Sequence, residues 1–114
     1  MDRSLYSPTM IRLTVMYPAS PGIGFDWDYY LTKHTPMARA RLTGLGMTRL
    51  EVDRGLGSFP PGTPAPHHAI AYLYFPSVES CAKAMAASAA ELIADMANYY
   101  RGQAVIQISE MLEA

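Results

Sequence analysis

The order in which hydrophobic periodicity changes along the chain is the feature that most constrains its fold. Four short segments alternate apolar and polar side chains, which indicates strands with one buried face: residues 10–17, 45–55, 68–75 and 104–112. Two longer segments carry apolar side chains three and four residues apart, which indicates amphipathic helices: residues 26–42 and 77–99. The chain therefore alternates between the two kinds of element in the order β-α-β-β-α-β.

This order predicts an α+β domain of the ferredoxin-like class, with a four-stranded antiparallel sheet and both helices on one face. A chain of 114 residues has room for one such domain, and the periodic segments place it at residues 10–114. Residues 1–9 are polar and without periodicity. They are expected to be an N-terminal extension that is disordered or precedes the native start.

Composition argues against several classes of function. The formal net charge is −1, and the basic side chains form no stripe that would neutralise phosphates, so nucleic acid is not an expected partner. No apolar run reaches the roughly 18 residues of a membrane span, and the amino terminus lacks the apolar stretch of a secretory signal. Cys81 is the single cysteine, which excludes an intrachain disulfide and fits a reducing compartment. We therefore expect a cytoplasmic protein that does not act at membranes.

One face of the predicted sheet would be left uncovered by the helices. It carries charged and short polar side chains with one methionine: Arg12, Thr14, Met16, Arg49, Glu51, Asp53, Gln107 and Ser109. Open sheet faces of this kind commonly associate, and two of them closing face to face form a barrel across a two-fold axis. The chain is therefore expected to form a homodimer. The alternative is a monomer, since antiparallel sheets tolerate one solvated face.

The candidate for catalysis is the run FDWDYYLTKHTPM at residues 25–37. Asp26 is suited to cap the helix, and Pro36 removes a backbone donor and should kink or restart it. Tyr30 and His34 are four residues apart and therefore share one helical face. A neutral imidazole can take up or deliver a proton near pH 7, and a tyrosine hydroxyl can polarise a carbonyl. The pair therefore predicts an enzyme that removes a proton from a substrate carbon next to a carbonyl.

Four other aromatic residues are predicted to bind the substrate: Tyr17, Trp27, Tyr72 and Tyr74. Trp27 joins the face of the catalytic pair, and Tyr17 lies on the helix-facing side of the first strand. Tyr72 and Tyr74 share one face of the third strand. Periodicity alone does not decide whether that face meets the helices or lines the dimer barrel. In the alternative interpretation, the aromatic residues only pack the core and the histidine caps a carbonyl freed by the proline.

Three further features carry predictions. Within residues 55–68 four prolines and three glycines predict an irregular loop that is mobile or lies over the partner subunit. Cys81 is expected to be a buried, inert thiol, and Asp95 to be structural, held by a cation or a backbone amide. No ligands have metal-site spacing, so neither a metal nor another cofactor is predicted. The apolar stripe of the second helix is expected to comprise Val78, Ala82, Met85, Ala89, Leu92, Met96 and Tyr99.

Two segments resemble the EthD family, named for ethyl tert-butyl ether degradation. The first is FDWDYYLTKHTPMAR after a strand and a Pro/Gly loop, and the second is YLYFPSVESCAKAM with ADMANYY. The resemblance covers residues 10–112 and implies a dimeric α+β barrel. The family and its barrel relatives include cofactor-free oxygenases, isomerases, polyketide cyclases or decarboxylases, and pathway proteins of undefined role. One fold hosts many chemistries, so the resemblance does not fix the reaction.

Residues and resemblance together predict a small cofactor-independent enzyme that acts by acid–base chemistry on an apolar, oxygen-bearing metabolite. Cyclisation, decarboxylation, isomerisation and cofactor-free oxygenation all fit this description. The alternatives are a non-catalytic binding or accessory protein and a purely structural dimer. A pocket of about 300 Å³ or more beside His34 would favour the enzyme or the binding protein over the structural dimer.

Overall fold

The computed structural model describes residues 10–114, and the predicted order of elements is confirmed. The four strands are β1 (Ile11–Pro18), β2 (Arg49–Arg54), β3 (His67–Phe75) and β4 (Val105–Glu110). The first helical region has four consecutive parts: α1 (Trp27–Tyr29), a π-helical turn (Tyr30–His34), α2 (Thr35–Leu42) and a 3₁₀ turn (Thr43–Leu45). The second is one long helix, α3 (Val78–Met96). The predicted extension at residues 1–9 lies outside the described residues.

The sheet is antiparallel, with strand order β2-β3-β1-β4. In its centre, β1 pairs Leu13 with Leu73 of β3 on one side and with Ile108 of β4 on the other. The predicted α+β fold is therefore confirmed. β2 begins at Arg49 rather than at residue 45, because the helical region continues to Leu45. Gly46 then ends that region with a left-handed φ of 110°, a conformation that glycine adopts without strain.

The helices cover the face of the sheet that carries the odd-numbered residues of β3. The residues buried on that face are Ala69, Ala71, Leu73 and Phe75. Successive strand residues point to opposite sides, so Tyr72 and Tyr74 lie on the other, open face. Of the two orientations left open for β3, the structure shows the one that turns Tyr72 and Tyr74 away from the helices and from His34. The small alanines bring the helix layer close to the sheet, and tyrosines in their place would hold it away.

The first helical region passes Pro36 without breaking. Asp26 caps its start as predicted, since a carboxylate oxygen accepts the backbone N–H of Tyr29 at 3.0 Å. Before the proline the helix widens, and the N–H of Thr35 donates to the carbonyl of Tyr30 across a π turn. α2 then continues with the proline in its first turn, the helical position that best tolerates a missing N–H. The predicted restart thus takes the form of a π turn, a feature frequent at functional sites.

The packing face of α3 agrees with the predicted stripe in part: Met85 and Leu92 pack against the main core, Met96 packs against the aromatic residues, and Tyr99 beyond the helix is buried. The hydroxyl of Ser77 caps the helix as expected, accepting a backbone N–H at 3.1 Å. The buried residues of α3 are all small: Cys81, Ala84 and Ser88. Val78 and Ala82, predicted to be part of the stripe, are exposed. In a segment this rich in alanine, close approach to the sheet decides which residues are most deeply buried, so apolar spacing predicts the inner side of the helix but misses its small buried residues.

The connection between β2 and β3 is irregular, as predicted, and its backbone is nevertheless internally bonded. The N–H of Gly55 donates to the carbonyl of His68 at 2.9 Å, and the N–H of Ser58 donates to the carbonyl of Thr63 at 2.9 Å. These bonds close the segment into a hairpin-like projection, and we call its outer part, residues 56–63, the loop tip. It carries two large apolar side chains that nothing in the described chain covers, Leu56 (92% exposed) and Phe59 (87% exposed).

The edge strand β4 is poorly covered by the helix layer. Ile106 and Ile108 pair with Val15 and Leu13 and share their helix-facing side, yet both are about half exposed. Ile93 of α3 is 53% exposed and Ile106 is 47% exposed. We call Ile93, Ile106 and Ile108 the apolar rim. Among residues 10–114, no helix combines the length and apolar character needed to cross a bilayer.

Candidate functional site

Aromatic side chains gather at one end of the sheet, between β1 and the helices. The cluster contains Tyr17, Phe25, Tyr30, Tyr99 and Tyr100. Most ring pairs meet edge to face, with centroids 4.9–5.7 Å apart for the contacts of Tyr17, Phe25 and Tyr30, a favourable arrangement for aromatic rings. A rigid aromatic wall of this kind holds the one buried histidine, His34.

His34 is 7% exposed, and both of its ring nitrogens are bonded. Its Nδ1 lies 2.9 Å from Oδ2 of Asp95, and its Nε2 lies 3.2 Å from the hydroxyl of Tyr99. An ionised carboxylate can only accept, so Nδ1 carries the hydrogen and donates it to Asp95. Nε2 of the neutral ring is then an acceptor, and the hydroxyl of Tyr99 donates to it. The carboxylate thereby fixes the tautomer in which Nε2 acts as a base.

Asp95 lies in the last turn of α3, where a negative charge opposes the helix dipole. Besides His34, the hydroxyl of Tyr29 donates to it at 2.7 Å and the amide of Asn98 at 3.0 Å. Burial alone would raise the pKa of Asp95, but these three donors outweigh it and lower the pKa. The predicted cation or backbone amide is therefore replaced by side chains, one of which is the proposed base.

The hydrogen-bonded chain continues from the histidine to β1. The hydroxyls of Tyr99 and Tyr17 are 2.8 Å apart. Because the Tyr99 hydrogen points to His34, Tyr17 donates to Tyr99. Burial raises the pKa of Tyr17, Tyr30 and Tyr99 far above that of a free tyrosine, so all three stay protonated at neutral pH. The result is a continuous chain in the order Asp95, His34, Tyr99, Tyr17.

Tyr30 has a different relation to His34 from the one predicted. Its ring stacks on the imidazole, with centroids 5.6 Å apart and planes inclined by 15°. Its ring also packs edge-on against that of Tyr17, with centroids 5.7 Å apart. The π turn accounts for the stacking, because it places both residues on the inner side of the helical region. Tyr30 thus adjoins the chain of hydrogen bonds at its Tyr17 end.

A cavity of about 70 Å³ lies between the helices and the sheet beside this chain. Its polar lining residues include Tyr17, Tyr30 and His34, and most of the others are apolar: Leu13, Val15, Ala38, Leu50, Ala71, Leu73, Met85, Ala89, Leu92, Ile93, Met96 and Ile106. Its volume is below the roughly 300 Å³ expected of a substrate pocket. Two of its walls, Ile93 and Ile106, belong to the half-exposed apolar rim, so the cavity is thinly covered on the β4 side.

The structure brings together three of the six residues predicted for the site, His34, Tyr30 and Tyr17. Trp27 is outside the cavity and packs edge-on against Tyr30, with the guanidinium of Arg54 5.0 Å above its ring. Tyr72 and Tyr74 are on the open face of the sheet, where their hydroxyls donate at 2.8 Å to two carboxylates, Asp53 and Glu51 respectively. These bonds orient both rings away from the cavity.

Two participants, Asp95 and Tyr99, are not among the residues predicted for the site. Apolar spacing assigns Tyr99 to the stripe of α3, and Asp95 is predicted to be structural. The sequence did contain one signal for Asp95. A carboxylate at the C-terminus of a helix opposes the helix dipole and requires hydrogen-bond donors from elsewhere in the fold. Within residues 10–114, no three His, Cys, Asp or Glu side chains are grouped to hold a metal ion. The ring of His68 is bonded to the carbonyl of Ile23 at 2.7 Å.

Comparison with known proteins identifies a family. The EthD domain matches residues 25–103, a range that contains Asp95, His34 and Tyr99 but not Tyr17. The chain belongs to the EthD family. No curated protein matches it significantly.

Solved structures share this EthD fold. An EthD-like protein from Ralstonia eutropha JMP134 is 38% identical, with a TM-score of 0.83, covering 91% of this chain and 93% of its own. An ethyl tert-butyl ether degradation family protein from Bacillus halodurans C-125 is 20% identical, with a TM-score of 0.72, covering 90% and 99%. A protein from an uncultured marine organism, described as dimeric and ferredoxin-like, is 13% identical, with a TM-score of 0.53, covering 95% of each chain.

Proposed function

We propose that this EthD protein is a small cofactor-independent enzyme that moves protons on an apolar, oxygen-bearing metabolite. The observation that carries the proposal is the chain Asp95, His34, Tyr99, Tyr17, which ends beside an otherwise apolar cavity. A histidine with a fixed tautomer and a carboxylate partner is the usual construction of a general base. Apolar walls match the carbon skeleton of the substrate, and hydroxyls match its oxygen.

In the proposed mechanism, Tyr17 takes a proton from the substrate carbon next to a carbonyl as it passes its own proton to Tyr99. Tyr99 in turn delivers a proton to Nε2 of His34, and the resulting imidazolium is stabilised by Asp95. Because burial raises the pKa of both tyrosines, neither accumulates as an anion, and the transfers occur together. Tyr30 donates to the developing enolate oxygen. Return of the proton to another atom completes an isomerisation, and carbon attack completes a cyclisation.

The test is exchange of carbon-bound hydrogen in a ketone small enough for the cavity. Incubating 2-butanone with the protein in deuterated water and following the α-proton signals by NMR measures proton abstraction directly. We expect His34→Ala and Tyr99→Phe to slow the catalysed exchange at least about tenfold, equivalent to about 1.4 kcal/mol of barrier. No acceleration by the wild type, or a His34→Ala rate within about threefold of it, less than ~1 kcal/mol, would overturn the proposal.

Tyr100→Phe is the matched control for these variants. Tyr100 belongs to the same aromatic cluster, but its hydroxyl donates to the carbonyl of Pro18 at 2.8 Å and takes no part in the chain to His34. Its replacement should leave the exchange rate unchanged. A loss as large as that of Tyr99→Phe would indicate that general disturbance of the cluster, and not the proton path, slows the reaction.

The alternative function is non-catalytic binding or an accessory role in a degradation pathway. Two observations favour it: the cavity is only about 70 Å³, and both nitrogens of His34 are already bonded within the protein. A binding protein would take up 2-butanone, seen as chemical-shift changes of the cavity methyl groups, without accelerating exchange. Retained binding in His34→Ala together with an absent wild-type rate would select this alternative.

We further propose that the protein is a cytoplasmic homodimer in which the open sheet faces meet. Arg12 supports this, because its guanidinium lies 5.2 Å from the ring of Tyr72 and 5.9 Å from that of Tyr74 and makes no ion pair among the described residues. Its Nε is buried without a hydrogen-bond partner there. A partner sheet would supply acceptors. Light scattering at micromolar concentration should give twice the chain mass, and a monomer would contradict the proposal.

A further inference from the structure

The loop tip is an internally bonded apolar projection that has no partner among residues 10–114. Its backbone is closed by the bonds from Ser58 to Thr63 and from Thr63 to Pro60, at 2.9 and 3.1 Å. Leu56 and Phe59 nevertheless point into solvent. Single exposed apolar residues are ordinary, but a large aliphatic and an aromatic side chain on one internally bonded projection resemble the anchors of protein interfaces. The tip therefore has the properties of a segment that packs against another subunit.

The apolar rim is a surface against which the apolar side chains of the loop tip can pack. Ile93 and Ile106 both line the cavity and are both about half exposed, and Ile108 continues the same face along β4. Within residues 10–114, the helices leave both β4 isoleucines about half exposed on this side of the edge strand. The site beside His34 is thus incomplete at the rim, since solvent meets the outer surface of two cavity-wall residues there.

The topology rules out contact between tip and rim within one chain but allows it across a two-fold axis. The tip leaves the sheet from β2 and β3, and the rim lies on β4, at the other edge in the order β2-β3-β1-β4. Arg54 of β2 pairs with Ala69 of β3, Ala69 pairs with Tyr17 of β1, and the adjacent Met16 pairs with Val105 of β4, so the end of β2 and the start of β4 are at the same end of the sheet. A two-fold axis that runs parallel to the strands, between the two sheets, places β2 of one subunit opposite β4 of its partner. Because the axis does not reverse the strand direction, the tip of one subunit and the rim of the other lie at the same end of the dimer.

The length of the tip fits this arrangement. When two open sheet faces pack, the sheets are about 10 Å apart. Phe59 is the fifth residue after Arg54, the last residue of β2, and an extended segment of five residues reaches at most about 17 Å. Phe59 can therefore cross from its own sheet to the partner's and pass the edge of the partner's β4.

We propose that in the homodimer the loop tip of each subunit covers the apolar rim of the other, so that Phe59 and Leu56 complete the outer wall of the partner's cavity. The inference rests on the proposed homodimer but not on the chemistry assigned to His34. It makes each substrate site a two-subunit site. It also explains why the cavity of a single chain is small and thinly covered: part of its wall belongs to the second copy.

Disulfide trapping tests the contact directly. In a Cys81→Ser background, the pair Phe59→Cys and Ile106→Cys should form a covalent dimer under mild oxidation, seen on non-reducing gels, and reduction should reverse it. The two single-cysteine chains are the controls, because they report chance 59–59 and 106–106 links. A yield of covalent dimer no higher than that of the single-cysteine chains would overturn the inference. A ladder of higher oligomers would also overturn it, since it would indicate an open contact in place of a closed pair.

The dissociation constant provides a second measurement. Phe59→Asp should weaken the dimer at least about tenfold by analytical ultracentrifugation, because a buried aromatic anchor is replaced by a charge. Val78→Asp is the matched control, since Val78 is an exposed apolar residue remote from the tip and the rim. An unchanged dissociation constant for Phe59→Asp refutes the tip contact while the homodimer stands. A monomeric wild type refutes both.

Discussion

Replacing Asp95 with asparagine tests whether its carboxylate orients His34. The carboxylate accepts from Tyr29, from Nδ1 of His34 and from Asn98. Asparagine keeps one acceptor oxygen and puts an N–H donor in place of the other. With the amide nitrogen facing the imidazole, Nδ1 has to become an acceptor and the ring hydrogen moves to Nε2. The bond to Tyr99 then reverses, and Nε2 no longer serves as a base.

The expected destabilisation follows from the bond to the histidine. A hydrogen bond to a charged group contributes about 1.5–3 kcal/mol. The side chain of Asp95 is 16% exposed, and partial solvation places the expected loss near the lower limit, at about 1.5 kcal/mol. For a domain of this length, about 4 °C of Tm corresponds to each kcal/mol, so Tm should fall by about 6 °C.

Two measurements check the reasoning, urea unfolding and the ¹⁵N chemical shifts of the imidazole, which distinguish the tautomers. Asp53→Asn is the matched control, because that carboxylate accepts a tyrosine hydroxyl at 2.8 Å on the exposed open face. It should change the unfolding free energy by less than about 0.5 kcal/mol. An Asp95→Asn protein with wild-type stability and Nδ1 still protonated would refute the orienting role of the carboxylate.

The same substitution has a predicted pH signature. Although burial opposes it, the donors around Asp95 lower its folded-state pKa below the ordinary value of 3.8. The carboxylate therefore stabilises the folded state fully above that value, and the contribution is lost as the pH falls through the folded-state pKa. Asp95→Asn should accordingly show a shallower loss of stability below pH 3.8 than the wild type. Equal slopes for the two proteins in acid would contradict the prediction.

Three more predictions concern the scaffold and can be checked by urea unfolding or thiol labelling. Leu42 is fully buried in the main core, so Leu42→Ala should lower the unfolding free energy by about 2–5 kcal/mol. Gly55→Ala should cost at least about 1 kcal/mol, because its Cβ would collide with the β3 backbone; Gly44→Ala, with open space around it, should be neutral. Cys81 is fully buried and burial raises the pKa of its thiol, so DTNB should react with the native protein at under about one hundredth of its rate in urea.

The fold could be predicted because its elements are local and strongly periodic, but the orientation of β3 could not. Each face of that strand offers an apolar set: Ala69, Ala71, Leu73 and Phe75 on one side, and Ile70, Tyr72 and Tyr74 on the other. Periodicity does not decide between them. Helix packing does, because small residues allow a close approach and the tyrosine hydroxyls find carboxylates on the open face.

In the candidate site, too, the residues close together in sequence could be predicted and the distant ones could not. Spacing within one helical turn identified Tyr30 and His34. Asp95 and Tyr99 lie 61 and 65 residues from the histidine in sequence. No period of 2 or 3.6 residues links such distant segments, and their meeting depends on how α3 is placed against the first helical region. The apolar spacing of Tyr99 even suggested a purely packing role.

The π turn at Tyr30–His34 has a consequence for comparing chains of this family. A π turn acts as a one-residue insertion in an α-helix, and each inserted residue rotates the remainder of the helix by about 100°. Deleting one residue between Tyr30 and His34 would restore regular helix but rotate α1 by about 100° relative to α2, so Tyr30 and His34 would not both keep their present contacts with Tyr17 and Tyr99. Two relatives could thus differ by a single alignment gap, share the fold and differ in chemistry. The spacing Tyr-x-x-x-His-x-Pro is therefore the feature to compare.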